Sequence, residues 1–237
     1  MSQSTTPVTT AYSPHASLAA LVAHVKSRGI FDQVRGGVHI AQKIVKDSPQ
    51  DKVQDILLAL LAGTQSLVQL NTLLRQDTGL QRAAGRERAA EQSVAQQTLD
   101  AATEQNVDEL QQVLTTLLQH HSQVAQHPFR SQWLILDADL TGLPAGKRAE
   151  QSRKGYFSDP RKRRGRQQGR VLASQYGEIV LDRLYPGNTL LVEKLPELIE
   201  QAEAVLGLQP SQRRHTLIRI DGGGGSIASV NFLLEGG

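Results

Sequence analysis

The chain has 237 residues, 39% of them hydrophobic and 21% charged, which is enough apolar material for one sizeable core or two small ones and argues against a wholly disordered protein. The absence of cysteine excludes disulfides, thiolate-held zinc, iron–sulfur centres and a cysteine nucleophile, and it accords with a cytoplasmic location. The formal net charge of +3 hides an uneven distribution: residues 147–170 carry ten Lys and Arg against Glu150 and Asp159, a local net of +8, while the remainder is net −5.

Residues 1–14 are polar and lack both a basic n-region and an apolar h-region, so they read as a disordered leader, not a secretory signal. The longest apolar run, Ile56 to Ala62, is far short of a membrane span, and no membrane partner is expected. From 15 to 130 the periodicity is helical. Ser17 is positioned to cap a helix through Ser27 that stops near Gly29. Ser48-Pro49 open another, with Val53, Ile56, Leu57, Leu60 and Leu61 on one face and Gly63 at its end. A helix follows Ser66, and Asp77-Thr78-Gly79 reads as a turn. Ser93 then caps a further helix, and Asn106 opens a long amphipathic one ending before Pro128. Within this helical N-terminal domain, Gly63 to about Ala102 has the outline of a helix-turn-helix, with Gln96 and Gln97 as base-reading groups, although the segment carries no positive surplus.

At Gln132 the grammar changes. Leu134-Ile135-Leu136-Asp137-Ala138-Asp139-Leu140-Thr141-Gly142 is an apolar strand delivering two carboxylates two residues apart, which places both on one face where they can converge on a cation. A strand closed by an Asx turn at Asp139 and Thr141 is the plain structural alternative. The basic segment follows, with Arg153, Lys154, Arg161, Lys162, Arg163, Arg164, Arg166 and Arg170 interleaved with Tyr156, Phe157 and several glycines. That combination of charge, stackable rings and flexible backbone suits a phosphate backbone, and DNA is the expected partner. Val171–Tyr176 and Ile179–Tyr185 read as a hairpin around Gly177-Glu178. Leu190–Leu206 is an amphipathic helix, kinked or restarted at Pro196 and capped by Gly207. His215–Ile220 is a second apolar strand ending in an acid, Asp221. Two strands that each deliver a carboxylate at their C-terminal end form a ligand-binding pattern in sheets of this kind.

Taken together, Asp139-Leu140-Thr141, Gly155-Tyr156-Phe157, Gly165-Arg166-Gln167, Leu184-Tyr185-Pro186-Gly187-Asn188-Thr189 and Arg219-Ile220-Asp221-Gly222-Gly223 resemble bacterial insertion-sequence transposases of the DDE type. Leu60-Leu61-Ala62-Gly63-Thr64-Gln65-Ser66-Leu67 resembles part of the same family's N-terminal domain. The resemblance implies an α+β protein: a helical domain over 15–130, then a ribonuclease H-like mixed α/β core over 131–237. It implies that Asp139, ending the first strand, and Asp221, ending the fourth, are the first two catalytic acids, holding Mg2+ or Mn2+ with Asp137 as a secondary ligand. DNA at transposon ends is the implied partner, with a homo-oligomer or a full-length transposase as a further one. Paired divalent ions of this type activate an attacking hydroxyl and stabilise the leaving oxygen in phosphodiester displacement.

Two departures qualify the likeness. The family's third acid comes from a later helix, whereas here only sixteen residues follow Asp221 and Glu235 lies too close to it. Gly224 stands where the family often has an aromatic residue. A truncated transposase, inactive alone, is therefore the expectation. Two alternatives remain. Asp137-Ala138-Asp139-Leu140-Thr141 also matches the first motif of haloacid-dehalogenase-like phosphatases, in which Asp137 would be the nucleophile and Asp139 the general acid/base. A noncatalytic DNA-binding remnant is the other. His120-His121 are adjacent and so cannot face one metal together, and no lysine follows Gly222–Gly225 to make a phosphate-binding loop.

Overall fold

The computed structural model describes residues 12–43, 46–155, 157, 164–222 and 225–235, so most of the leader, Tyr156, the bases Arg161, Lys162 and Arg163, and Gly223 and Gly224 lie outside the described residues. Half of the chain is helix and 17% is strand in one mixed sheet, an α+β arrangement. It divides into two compact units, Met1–Leu114 and Thr115–Gly237. The division falls inside helix α7 (Glu104–His121), upstream of the change in sequence grammar at residue 131. The end of that helix belongs to the second unit, because Leu118 packs on the second core and Gln119 Nε2 donates to Val205 O at 2.7 Å. No described helix is long and apolar enough to cross a membrane.

The first unit contains α1 (Ala16–Ser27), α2 (Ile30–Gly37), α3 (Pro49–Leu61), α4 (Val68–Thr72), α5 (Thr78–Ala83), α6 (Gln92–Asp100) and the start of α7. Ser48 caps α3 as its sequence position requires, its Oγ accepting from Asp51 N at 3.1 Å while Asp51 returns the bond to Ser48 N. Asp77 is a helix cap rather than a turn residue. Its Oδ1 accepts from Leu80 N at 2.9 Å, and its Oδ2 takes Ser13 Oγ at 2.7 Å, so chain order begins before residue 15. Ser93 lies inside α6, and Thr103 rather than Asn106 stands ahead of α7, its Oγ1 donating to Asn106 Oδ1 at 3.0 Å and accepting from Asn106 N at 3.4 Å. The eight residues between α5 and α6 are more than the three or four of a tight helix-turn-helix.

The inward face of α3 also differs from the apolar stripe expected. Leu60 and Leu61 are exposed, and the buried positions are Lys52, Gln54, Asp55, Leu58 and Ala59. The reason is electrostatic. Arg86 inserts beside α3 and pairs with Asp47, Asp51 and Asp55, so this face is partly polar and its register follows the charges.

The second unit is a sheet with one long helix against it. Its strands are β1 (Leu134–Pro144), β2 (Arg153–Lys154), β3 (Arg164–Ala173), β4 (Glu178–Pro186) and β5 (Thr216–Ile220). β3 lies between β1 and β4 and is antiparallel to both; β2 pairs with its first residues, and β5 runs parallel beside β1. Leu134, Leu136 and Ala138 alternate with outward residues along β1, and Gly169, Val171 and Ala173 do the same along β3. This face packs under α8 (Leu191–Leu206) through Leu195, Leu198, Ile199 and Ala202. α8 runs unbroken through Pro196, because the missing amide forfeits a single hydrogen bond that burial of the helix offsets. Gly207, at φ 63°, caps it as expected.

Candidate functional site

The parallel pairing of β1 with β5 sets the site. Its register matches Asp137 with Arg219 and Ala138 with Ile220, an offset of 82 residues. Asp139 and Asp221 are separated in sequence by the same 82 residues, so each directly follows the last paired residue of the parallel ladder on its own strand. β1 itself does not stop at Asp139. It continues to Pro144 because Leu140–Pro144 keep pairing with Gly165–Gly169 of β3, so Asp139 marks the end of the parallel ladder and not of the strand. Thr141 lies in that continuing strand, not in a turn, and its Oγ1 donates to Asp139 Oδ2 at 3.4 Å.

Asp139 and Asp221 both line a cavity of about 440 Å3, together with Thr141, Gly142, Phe157, Gln167 and the first turn of α8 around Thr189–Val192. The lining offers carboxylate, hydroxyl and amide oxygens and neither sulfur nor imidazole, a donor set for a hard cation. Among the described residues no three His, Asp or Glu side chains are grouped to hold a metal. Two carboxylates with water completing the shell is nevertheless how Mg2+ commonly binds, since it dehydrates reluctantly. The residues present therefore fit one hydrated divalent ion at Asp139 and Asp221.

Asp137 has a different assignment from the one its spacing suggested. Arg219 donates Nε to Asp137 Oδ1 at 2.5 Å and Nη2 to Asp137 Oδ2 at 2.6 Å, and the same guanidinium reaches Ser174 Oγ at 3.2 Å. Those bonds hold the Asp137 carboxyl below the usual aspartate range. With one bond from a planar fork on each oxygen, the Asp137 carboxylate is held toward Arg219, and its remaining lone pairs are the ones left for a cation or a substrate. Same-face geometry makes Asp137 and Asp139 neighbours, but Asp137 has an arginine partner on β5 whereas Asp139 lies one step beyond the parallel ladder.

The described part of the basic segment is largely strand, whereas its glycines suggest flexible backbone. Arg164, Arg166, Gln168 and Arg170 occupy alternate positions of β3 on the face away from α8, while Gly165, Gln167 and Gly169 are buried on the other. The glycines serve close packing: a Cβ on Gly165 would collide with Leu143 O and come 2.8 Å from the Phe157 ring, and one on Gly169 would come 2.8 Å from the Tyr185 ring. Arg153 and Lys154 form the exposed β2 pair at the start of the same stripe. Arg166 Nε is buried without a hydrogen-bond partner. Arg170 is engaged, donating to both oxygens of Asp182 at 2.8 and 2.9 Å, so it contributes less free charge than the sequence implied.

Gln167 and Thr189 at the cavity, and Arg219 and Asp182 as ion-pair partners, have no role of their own assigned to them by the sequence reading, and Phe157, read there as a ring for stacking on nucleic acid, lines the cavity. The Arg219–Asp137 pair carried a signal, because its separation of 82 equals that of the two principal acids. The Arg170–Asp182 pair had none beyond membership of a hairpin. Comparison of the chain with protein-family models, curated proteins and solved structures found no match.

Proposed function

We propose that the second unit is the catalytic core of a DDE-type transposase with ribonuclease H-like architecture, in which Asp139 and Asp221 hold a divalent ion and the bases of β2 and β3 hold DNA. The coincidence of the sequence separation with the β1–β5 register carries this reading, because it brings two distant acids to one cavity at the end of a parallel ladder. The sheet order supports it as well: setting aside the two-residue β2, Asp221 follows the fourth strand. Mg2+ or Mn2+ would supply charge neutralisation at the scissile phosphate. The chain's own contribution is orientation. Thr141 steadies the Asp139 carboxylate, Arg219 holds Asp137 in an ion pair, and the β3 stripe aligns the phosphate backbone.

Mn2+ titration followed by electron paramagnetic resonance tests the metal assignment. Asp139→Asn and Asp221→Asn are each expected to weaken binding by at least about tenfold, whereas Asp137→Asn leaves it within about twofold. Equal losses at Asp137 and Asp139 would return the site to a paired-carboxylate centre on β1 and remove Asp221 from it. Strand cleavage of duplex DNA by this chain alone with Mg2+ is not expected, since the resemblance implies three acids and two are gathered here.

DNA binding has its own signature. Fluorescence anisotropy over a salt series is expected to show a steep fall of affinity, and Arg166→Gln to reduce the slope of log K against log salt by about 0.9. Arg170→Gln should change the slope less, because Asp182 already neutralises that guanidinium. Salt-independent binding would rule out a backbone-holding role for the stripe.

A further inference from the structure

The first unit holds a second concentration of positive charge, unrelated to the β3 stripe. A cavity of about 360 Å3 is lined by Lys43, Lys46, Lys52, Arg75 and Arg88, with Gln97 of α6 on its wall. Only two acids share the lining, and each already has an arginine: Glu91 pairs with Arg75 at 3.3 Å and Asp47 with Arg86 at 2.9 Å. Among the described residues, Lys43, Lys46, Lys52 and Arg88 form no ion pair with a carboxylate.

Lys52 is the decisive member. It is 4% exposed, sits on the inward face of α3, and its Nζ donates to Gln42 Oε1 at 3.1 Å. The same amide oxygen also accepts from Thr98 Oγ1 at 2.7 Å, so a neutral, shared acceptor is the hydrogen-bond partner recorded for a buried ammonium. A lysine is rarely placed this deep without an anion to compensate it, and here the two carboxylates in the cavity lining, Asp47 and Glu91, are each paired with an arginine and not with Lys52. Folding has left a site whose charge is completed from outside the chain.

We propose that this cavity binds a phosphate group, with Lys52 as the buried anchor and Arg88, Lys43 and Lys46 closing on it from the exposed rim. Several converging cations match a phosphate dianion or a phosphodiester better than a single carboxylate, and Arg88 can bond two of its oxygens at once. The phosphate could belong to a nucleic-acid strand or to a small phosphorylated molecule. Gln97 on the wall offers amide donors and acceptors to whatever the phosphate is attached to.

The test uses the whole chain and two probes, inorganic phosphate followed by 31P line broadening and a short fluorescein-labelled DNA duplex followed by anisotropy. Lys52→Gln and the exposed-site variant Arg88→Ala are compared with wild type, and circular dichroism checks that each is folded. Arg88→Ala keeps the test valid if Lys52→Gln does not fold. Both variants are expected to weaken phosphate binding by about tenfold, the scale of one charge-assisted hydrogen bond. A parallel loss of duplex affinity identifies the source as a nucleic-acid phosphate; unchanged duplex affinity identifies a small phosphorylated ligand. No phosphate binding by wild type, or binding indifferent to Arg88→Ala, overturns the proposal. Because the residues are on the first unit, the inorganic-phosphate result does not depend on Asp139, Asp221 or the β3 stripe, and the duplex comparison is made in an Arg166→Gln background so that binding by the stripe is reduced.

Discussion

Replacing Arg86 by alanine is expected to destabilise the first unit by about 3–5 kcal/mol, read as a lower midpoint of urea unfolding. The size comes from what the guanidinium leaves behind. Arg86 Nε and Nη2 bind the two oxygens of Asp55 at 3.0 and 3.1 Å, and Nη2 also reaches Asp47 at 2.9 Å. Asp55 is fully buried, and its other recorded hydrogen bond comes from Ala90 N at 2.7 Å. Burial pushes its carboxyl above the ordinary aspartate value even with Arg86 in place, and Arg86 pulls the other way. Without Arg86 the upward push grows, and the folded variant holds a proton at Asp55 more firmly than the unfolded chain does. An acid with a raised folded pKa contributes stability below its unfolded value, about 3.9, and loses it as pH rises through the folded value. The Arg86→Ala variant should therefore lose stability more steeply than wild type as pH rises above the ordinary aspartate value. Adding Asp55→Asn should recover part of the loss, since a neutral amide in the same place has no charge to desolvate. A single variant as stable as wild type at neutral pH would show that Asp55 reaches water once Arg86 is gone.

How much could be read from the chain depended on whether the information was local. Ser48-Pro49, Gly207 and the apolar alternation of Leu134 to Ala138 act within one turn or one strand, and the structure contains the cap, the stop and the buried face they imply. Gly177 likewise adopts φ 65° at the hairpin where the sequence implies a turn. Where a partner far along the chain decides, the local pattern misleads. Leu60 and Leu61 look like core residues of α3 until Arg86 draws the opposite side of the helix inward. Gly165 and Gly169 look like flexible backbone until the Leu143 carbonyl of the neighbouring strand and the Tyr185 ring explain them. α2 has little sequence signal because its eight residues contain two glycines, and its burial rests on Phe31 and Val34 alone. At the candidate site, the resemblance singled out Asp139 and Asp221 as proposed ligands, whereas their gathering at one cavity follows from the β1–β5 register. The ion pair of Asp137 could not be foreseen from its own neighbourhood, since Arg219 lies 82 positions away.

The packing of α8 on β3 yields the other large effect, and it sets two physical terms against each other. By strand propensity, Gly169→Val should help, because valine suits a strand and glycine does not, a difference on the order of 1 kcal/mol. By contact it should harm: a Cβ at 169 already comes 2.8 Å from the Tyr185 ring and 3.1 Å from both Leu198 methyl groups, before any methyl of its own is placed. Overpacking of this kind costs about 1–3 kcal/mol, and the contact term is expected to win. Leu198→Ala, at a fully buried position, should cost about 2–5 kcal/mol by leaving a cavity against the same stretch of sheet. The two changes occupy one another's space, so the double variant is expected to be more stable than the sum of the single losses predicts, with a coupling of about 0.5–3 kcal/mol. Additive losses would mean that α8 does not sit on Gly169. They would also remove the reason for a small residue there, and with it the account of why a basic strand carries a glycine at 169 while its arginines keep to the opposite face.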